Sequence, residues 1–441
     1  MTKKYLIETF GCQMNVLDSE KIAGDFNSCG MTLAADISEA DVVVLNTCAV
    51  RDKAVQKVYA RLGELKRHKK IRPDLTICVA GCMAQLEGEK ILKRTPYVNI
   101  VAGPQKGHVM GSLVERSRLE NAPVLDLRRD DDPSPLETEH ILRETAWRAS
   151  ITISEGCDRR CAFCVVPATR GRQRHRECSG ILSEAEALAR KGCIEILLLG
   201  QTVNDYADPT DASIGFAELL RRLAGISGLR RIRFTSPHPN YFTDALLEVM
   251  VSCPQICNHI HLPVQSGSTR VLRAMRRGYT RENYLEIARK IRRASRPIAI
   301  STDLIVGYPG ETEEDFQDTL TLMDEVQYDS AFSFRYSPRP NTAAFNLPDD
   351  VPDEEKGRRL TLLQERQKEI QYERNSEYPG KRMEVLVEAN ARSRMRLMGR
   401  TGNNKIVNFD GPDTLIGTLV QVEITGFSPN SLKGIWVQKD G

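Results

Sequence analysis

Cys157, Cys161 and Cys164 are spaced C-x3-C-x2-C within Glu155-Gly156-Cys157-Asp158-Arg159-Arg160-Cys161-Ala162-Phe163-Cys164. No other feature constrains this chain as much. Three thiolates clustered on one loop can hold a cubane iron–sulfur cluster through three of its four irons, leaving the fourth open to chelate a substrate or cofactor. A structural zinc site normally takes a fourth Cys or His close by. His175 and Cys178, eleven and fourteen residues beyond Cys164, keep zinc as the alternative.

A second set of cysteines lies in the first hundred residues. Three strand-like runs each lead into a cysteine loop: Lys4 to Thr9 before Gly11-Cys12, Asp41 to Leu45 before Asn46-Thr47-Cys48, and Leu75 to Ala80 before Gly81-Cys82. Helical stretches fall between them, around Asp18 to Ser28 and Arg51 to Lys69. Alternating strands and helices predict a doubly wound parallel sheet, whose strand ends share one ligand crevice. Cys12, Cys48 and Cys82 then converge on that edge, while Cys78, inside its strand, is packed. Any one of them could be a small buried hydrophobe; three at the same relative position read as a second open cluster. Cys29, Cys178, Cys193, Cys253 and Cys257 have no matching partners and read as structural.

The chain has 441 residues, enough for about two to four domains, and a formal charge of +3, too small to argue nucleic-acid binding by itself. No apolar run is long enough for a transmembrane helix, and no charged-then-apolar leader follows Met1. Twelve cysteines in such a chain suggest a reducing, cytoplasmic compartment, where spaced cysteines are ligands or core residues rather than disulfides.

Residues 120–145, with Arg128-Arg129-Asp130-Asp131-Asp132-Pro133-Ser134-Pro135, read as a linker between an N-terminal domain (1–119) and a central one (146–375). Six strands are expected in the latter: 149–154, 194–199, 229–235, 259–263, 298–306 and 330–336. Helices lie between them, one starting at Ser183. This fits a partial (β/α)6 TIM-like barrel, whose sites sit at the C-terminal strand ends. Gln201 and Asn204, Ser236 and His238, Gln265 and Ser266, and Thr302 and Asp303 fall there. Gln201, Thr302 and Asp303 are candidate cofactor contacts, with strand-end capping as the alternative; Gln265 and Ser266 are candidate substrate contacts.

Arg170 and Arg172, in the basic run after Cys164, are candidate phosphate contacts. The run Lys66 to Lys70 reads as the basic end of a helix. After Tyr378-Pro379-Gly380, five short strands in residues 376–441 suggest a small antiparallel β-barrel. Lys381, Arg382, Arg392, Arg394, Arg396, Arg400, Lys405 and Lys433 give it a candidate RNA-binding face, densest around Arg394 and Arg396.

These motifs together resemble the methylthiotransferases of the radical S-adenosylmethionine (SAM) class over essentially the whole chain. The matching segments are Thr9-Phe10-Gly11-Cys12-Gln13-Met14-Asn15, Asn46-Thr47-Cys48, Ala80-Gly81-Cys82, the C-x3-C-x2-C, Pro167-Ala168-Thr169-Arg170-Gly171, Leu199-Gly200-Gln201, His261 to Ser268 and Gly307 to Thr312. Gln13-Met14-Asn15, with Asn46 to Arg51, looks like the branch acting on isopentenyladenosine at tRNA position 37.

The resemblance implies a radical-SAM barrel between an N-terminal cluster domain and a C-terminal TRAM domain, with two 4Fe-4S clusters and two SAM per turnover. Cys157, Cys161 and Cys164 would hold the cluster at which one SAM is cleaved to a radical. Cys12, Cys48 and Cys82 would hold the sulfur-carrying cluster, whose sulfur the other SAM methylates. The methylthio group goes to carbon 2 of the adenine. The implied partners are a tRNA anticodon stem-loop carrying isopentenyladenosine, an external electron donor and a sulfur source; the chain is expected to act as a monomer. The target base must leave its stack, which in a loop costs a few kcal/mol at most.

Overall fold

The computed structural model of the protein describes residues 2–49, 52–129, 141–391 and 395–438. Strands β1 (Lys4–Phe10), β2 (Thr32–Leu33), β3 (Val42–Thr47), β4 (Thr76–Gly81), β5 (Ile100–Ala102) and β6 (Val124–Asp126) form one parallel sheet in the order β2-β1-β3-β4-β5-β6. The VVVLNT and TICVAG of the two central strands are buried throughout, as expected when helices cover both faces. Val43, Leu45, Ile77 and Val79 pack with Val58, Leu62 and Leu65 of the helix Asp52–Ile71. Val42, Val44 and Cys78 face the other way, onto Phe26 and Met110. Strand order reverses between β1 and β3, and such a switch point is where open α/β sheets bind ligands.

The sheet extends past the expected domain end. β6 lies inside the segment read as a linker, so the N-terminal unit reaches Asp126. Three residues are too few to show a strand pattern in sequence.

The central domain has the six expected strands: β7 (Arg148–Thr152), then, after the short antiparallel pair β8 (Ser154–Glu155) and β9 (Arg174–His175), β10 (Glu195–Leu199), β11 (Arg231–Phe234), β12 (His259–His261), β13 (Ala299–Val306) and β14 (Ser330–Arg335). They form two parallel three-stranded sections, β11-β10-β7 and β12-β13-β14, linked by one bridge between Ile232 and Ile256. The outward faces pack on the helices through one large apolar cluster that includes Ile151, Leu198, Ile260, Leu304, Leu219 and Phe316. The helix expected from Ser183 begins at Cys178.

The C-terminal strands β15 (Arg382–Asn390), β16 (Leu397–Thr401), β17 (Ile406–Phe409), β18 (Leu419–Phe427) and β19 (Leu432–Val437) close into a barrel. One pair, β17 with β19, is parallel; the other four are antiparallel. This barrel packs against residues at the strand starts of the central domain. Arg231 donates to the carbonyls of Arg400 (2.7 Å) and Glu384 (2.9 Å), and Arg233 to that of Thr401 (2.7 Å). Arg148 pairs with Glu388 and with Glu195, the latter also held by Arg233 at 2.9 Å. Burial pushes the Glu195 carboxyl up, but Arg233 and Arg148 outweigh it and hold it below the usual range.

The expected basic face is correspondingly reduced. Lys405 is buried against Asp329 (3.1 Å), and Arg400 pairs with Glu388 in the same seam. Arg382 pairs with Glu423 and Arg396 with Asp413. Arg392 and Arg394 lie outside the described residues.

Candidate metal centres

Cys12, Cys48 and Cys82 follow β1, β3 and β4 on the expected edge of the sheet, the first two flanking the switch point. Cys12 caps the helix Gln13–Ser28 in a capping box with Asn15. The Asn15 amide donates to the Asn46 side chain (3.4 Å), and Asn46 donates back to the Asn15 carbonyl (2.8 Å) and to Ser19 (2.9 Å). Both asparagines are fully buried, so this pair fastens the Cys12 loop to the Cys48 loop. Gly81 has φ +93, and a Cβ there would lie 2.5 Å from the Asn46 side-chain oxygen; only glycine lets the Cys82 turn approach so closely. Burial pushes the Cys82 thiol up to about 11, with Cys48 and Cys12 adding to the effect and Arg170 opposing it.

The second triad leaves β8 through Gly156, whose φ is +81 and whose Cβ would meet the Arg172 carbonyl oxygen at 1.9 Å. Gly156 N–H donates to Gln201 Oε1 (2.5 Å), and Cys157 N–H to the Gly171 carbonyl (3.1 Å). Cys157 Sγ lies 3.5 Å from Thr202 Oγ1. Arg277 donates to Cys161 Sγ (3.2 Å), and Ala162 N–H to the Met275 carbonyl (2.9 Å). Burial pushes the Cys164 thiol up to about 12, with Cys161 and Cys157 contributing.

No three Cys, His, Asp or Glu side chains among the described residues are grouped to hold one metal ion. A zinc ion about 2.3 Å from each thiolate needs sulfurs about 3.8 Å apart. Thiolates on separate irons of a cubane stand farther apart; the donors of both triads are soft thiols on loops at strand ends, a donor set that fits an open iron–sulfur cluster.

The triads face one seam. Cys82 and Ala49 form a buried cluster with Val165, the residue after Cys164. Met14 and Leu17 pack on Leu199 beside them. Arg170 crosses the same seam, donating to Asp18 of the N-terminal domain (2.5 Å) and to Glu155 of the barrel (2.9 Å). Burial pushes the Asp18 carboxyl up, and Arg170 pulls against it. Arg170 is therefore not the phosphate contact expected: it is 3% exposed and committed to two carboxylates. Arg172, 91% exposed with Asp158 at 3.5 Å, is free to meet a polyanion.

The other expected residues divide similarly. Gln201 fixes the Cys157 loop through Gly156. Thr302 is fully buried, its hydroxyl donating to the Leu262 carbonyl (2.9 Å) and accepting from Val264 N–H (3.0 Å), which gives it the strand-end capping role. Asp303 is part-exposed and lies 3.4 Å from His261 Nε2. Gln265 is buried with φ +79, strained for a non-glycine residue. The Ser266 hydroxyl is buried and accepts from Ser268 N–H (3.2 Å). Sequence reasoning passed over Arg277, Thr202 and the Asn15–Asn46 pair. The two asparagines sit inside quoted motifs; Arg277, in a surface-like basic run, carries no signal.

Of the remaining cysteines, Cys78, Cys178, Cys193 and Cys257 are buried, Cys253 is partly buried and Cys29 is exposed.

Three family models match the chain in succession. Residues 4–103 match "Uncharacterized protein family UPF0004", 151–323 the "Radical SAM superfamily" and 376–437 the "TRAM domain". The chain resembles the radical S-adenosylmethionine methyltransferase TsrM from Kitasatospora setae, with TM-score 0.57, 16% identity, and 78% of this chain and 75% of that one covered. At that identity the likeness shows the fold alone. The tRNA-2-methylthio-N(6)-dimethylallyladenosine synthase of Solibacter usitatus is 46% identical over 98% of this chain and 97% of its own. That of Clostridium novyi is 43% identical over 98% and 96%. Identity at this level across all three domains, with both thiol triads at strand ends, places the chain in the tRNA-2-methylthio-N(6)-dimethylallyladenosine synthase family of radical-SAM methylthiotransferases.

Proposed function

We propose that the protein methylthiolates carbon 2 of N(6)-isopentenyladenosine at tRNA position 37, with two 4Fe-4S clusters and two SAM per turnover. The observation that supports this reading is the seam, where Cys82 of one thiol triad packs on Val165, the residue after Cys164 of the other. When bound, the clusters and SAM supply one-electron chemistry, sulfur and a methyl group. Cys157, Cys161 and Cys164 hold the SAM-binding cluster; Cys12, Cys48 and Cys82 hold the other. Gln201, Thr202 and Arg277 orient the first loop; Asn15 and Asn46 orient the second.

Carbon 2 of adenine has no acidic proton for a side-chain base, which suits a radical route. The base reaches the crevice by leaving its loop, and Arg172, Gln265, Asp303, Arg394 and Arg396 are the residues proposed to meet the tRNA or SAM. An external reductant and a sulfur source complete the reaction. Monomeric, cytoplasmic action is part of the proposal; among the described residues no helix is long and apolar enough to cross a membrane. The domains divide at about Asp126 and Ser376.

Iron and sulfide analysis after anaerobic reconstitution tests the two-site reading. About eight irons per chain are expected, falling by about half in Cys48→Ala and in Cys161→Ala alike. Full iron in either variant would overturn it.

A further inference from the structure

Five arginines among the described residues are buried: Arg170, Arg176, Arg231, Arg277 and Arg359. Four face carboxylates: Arg170 meets Asp18 and Glu155, Arg176 meets Glu184, Arg231 meets Glu384 and Arg359 meets Glu311. Arg277 does not. It is 6% exposed, and its guanidinium donates to the Tyr279 hydroxyl (2.9 Å), the Pro263 carbonyl (3.0 Å) and Cys161 Sγ (3.2 Å). Its own carbonyl accepts from a second cation, Arg159 (3.0 Å). A desolvated cation without an anion is costly. Of the two partners that can become anions, the Tyr279 phenol and the Cys161 thiol, the thiol is the one deprotonated when it ligates metal.

The site is built to hold that side chain. The segment after the helix Thr269–Ala274 turns through Arg276 (φ +57) and Gly278 (φ +77). A Cβ at Gly278 would come within 2.9 Å of Asn240 Nδ2 and 3.1 Å of Arg159. The Ala162 N–H bond to Met275 ties this segment to the cysteine loop.

We propose that Arg277 is the built-in counter-cation of the cluster held by Cys157, Cys161 and Cys164, and raises the potential at which that cluster accepts its electron. Reduction adds one negative charge beside a fixed positive one in a water-poor site, and a donor to a ligand sulfur favours the reduced form. Arg277 is a positioning residue by this account; it touches a ligand, not the reacting atoms.

The proposal rests on the ligand assignment of that triad, and the test separates the two. The parent is the full chain carrying Cys12→Ala, Cys48→Ala and Cys82→Ala, which leaves one cluster. Its midpoint is read by potentiometric titration with electron paramagnetic resonance, alongside iron content. Arg277→Gln keeps a donor without the charge, and Arg277→Lys keeps the charge without the fork.

At the parent's midpoint, the reduced-to-oxidised ratio is expected to fall about tenfold in Arg277→Gln, or about 59 mV for a one-electron couple. In Arg277→Lys it should stay within about threefold. Equal midpoints in parent and variants overturn the proposal alone. So does loss of iron in both variants with no shift in any cluster retained, which marks a structural strut. A parent that binds no cluster overturns the ligand assignment and the proposal with it.

Discussion

Replacing Arg170 by Met leaves Asp18 and Glu155 facing each other without the guanidinium that joins them at 2.5 and 2.9 Å. All three side chains are at most about one-tenth exposed, so solvent does little to screen the loss. Removing one partner of a buried ion pair typically costs about 3–5 kcal/mol, because the charge left behind is uncompensated. For a domain of this size that is a fall in Tm of roughly 6–20 °C.

The deficit should depend on pH. Without Arg170, burial raises the folded-state pKa of Asp18 further above its unfolded value near 3.9. The folded variant then binds a proton that the unfolded chain releases, so its stability falls as pH rises through that window. The gap to wild type is widest at neutral pH and narrows toward pH 4. Thermal melts at pH 7 and pH 5, with binding of unmodified tRNA measured across a salt series, provide the assay. The structure predicts a large loss of Tm and an unchanged salt slope. An unchanged Tm with a slope reduced by about one would refute the reasoning and return Arg170 to the phosphates.

Other perturbations follow from the same geometry. Asn46→Ala removes one buried and one part-buried donor bond at 2.8 and 2.9 Å; it should cost about 1–3 kcal/mol and lower iron content at the N-terminal triad, and iron equal to wild type would contradict that role. Burial pushes the Asp315 carboxyl up, but bonds from Arg270, Ser268 and Thr312 prevail and bring it down to about 2. Asp315→Asn should therefore lose about 1 kcal/mol above pH 4, since Arg270 is largely exposed and solvent screens the pair, with the difference from wild type closing as pH falls toward 2; a pH-independent difference in melts would refute this. Arg172→Gln should weaken tRNA binding and cut the salt slope by about one without altering Tm. An unchanged slope would remove Arg172 from the RNA path.

Patterns local in sequence transferred well to the structure. The continuous apolar runs of β3 and β4 marked the parallel sheet, and β1, β3 and β4 each lead into the expected cysteine, Cys12, Cys48 or Cys82, at one edge of it. The six barrel strands followed from alternation alone. What did not transfer depends on distant partners. The helix read from Ser183 begins at Cys178 because Cys178 N–H finds Asp208, thirty residues later in the chain, at 2.5 Å; Glu177, the residue at the cap, makes no such bond. Arg170 sits in a basic run and Lys405 in a polar Gly-Asn-Asn turn, and both look solvated. Each instead crosses a domain seam to an acid, Asp18 or Asp329, that no local pattern connects to it. Arg277 shows the converse: its information lies in a missing carboxylate, visible only once its neighbours are placed.

In the proposed function two thiol triads do separate work at one seam. Nucleoside mass analysis of anaerobic reactions tests this most directly, using reconstituted protein, SAM, a reductant and tRNA carrying isopentenyladenosine. Wild type should yield a methylthio adduct on that nucleoside, Cys161→Ala should neither cleave SAM nor form the adduct, and Cys48→Ala should cleave SAM without forming it. Adduct from Cys48→Ala at the wild-type yield would contradict the account.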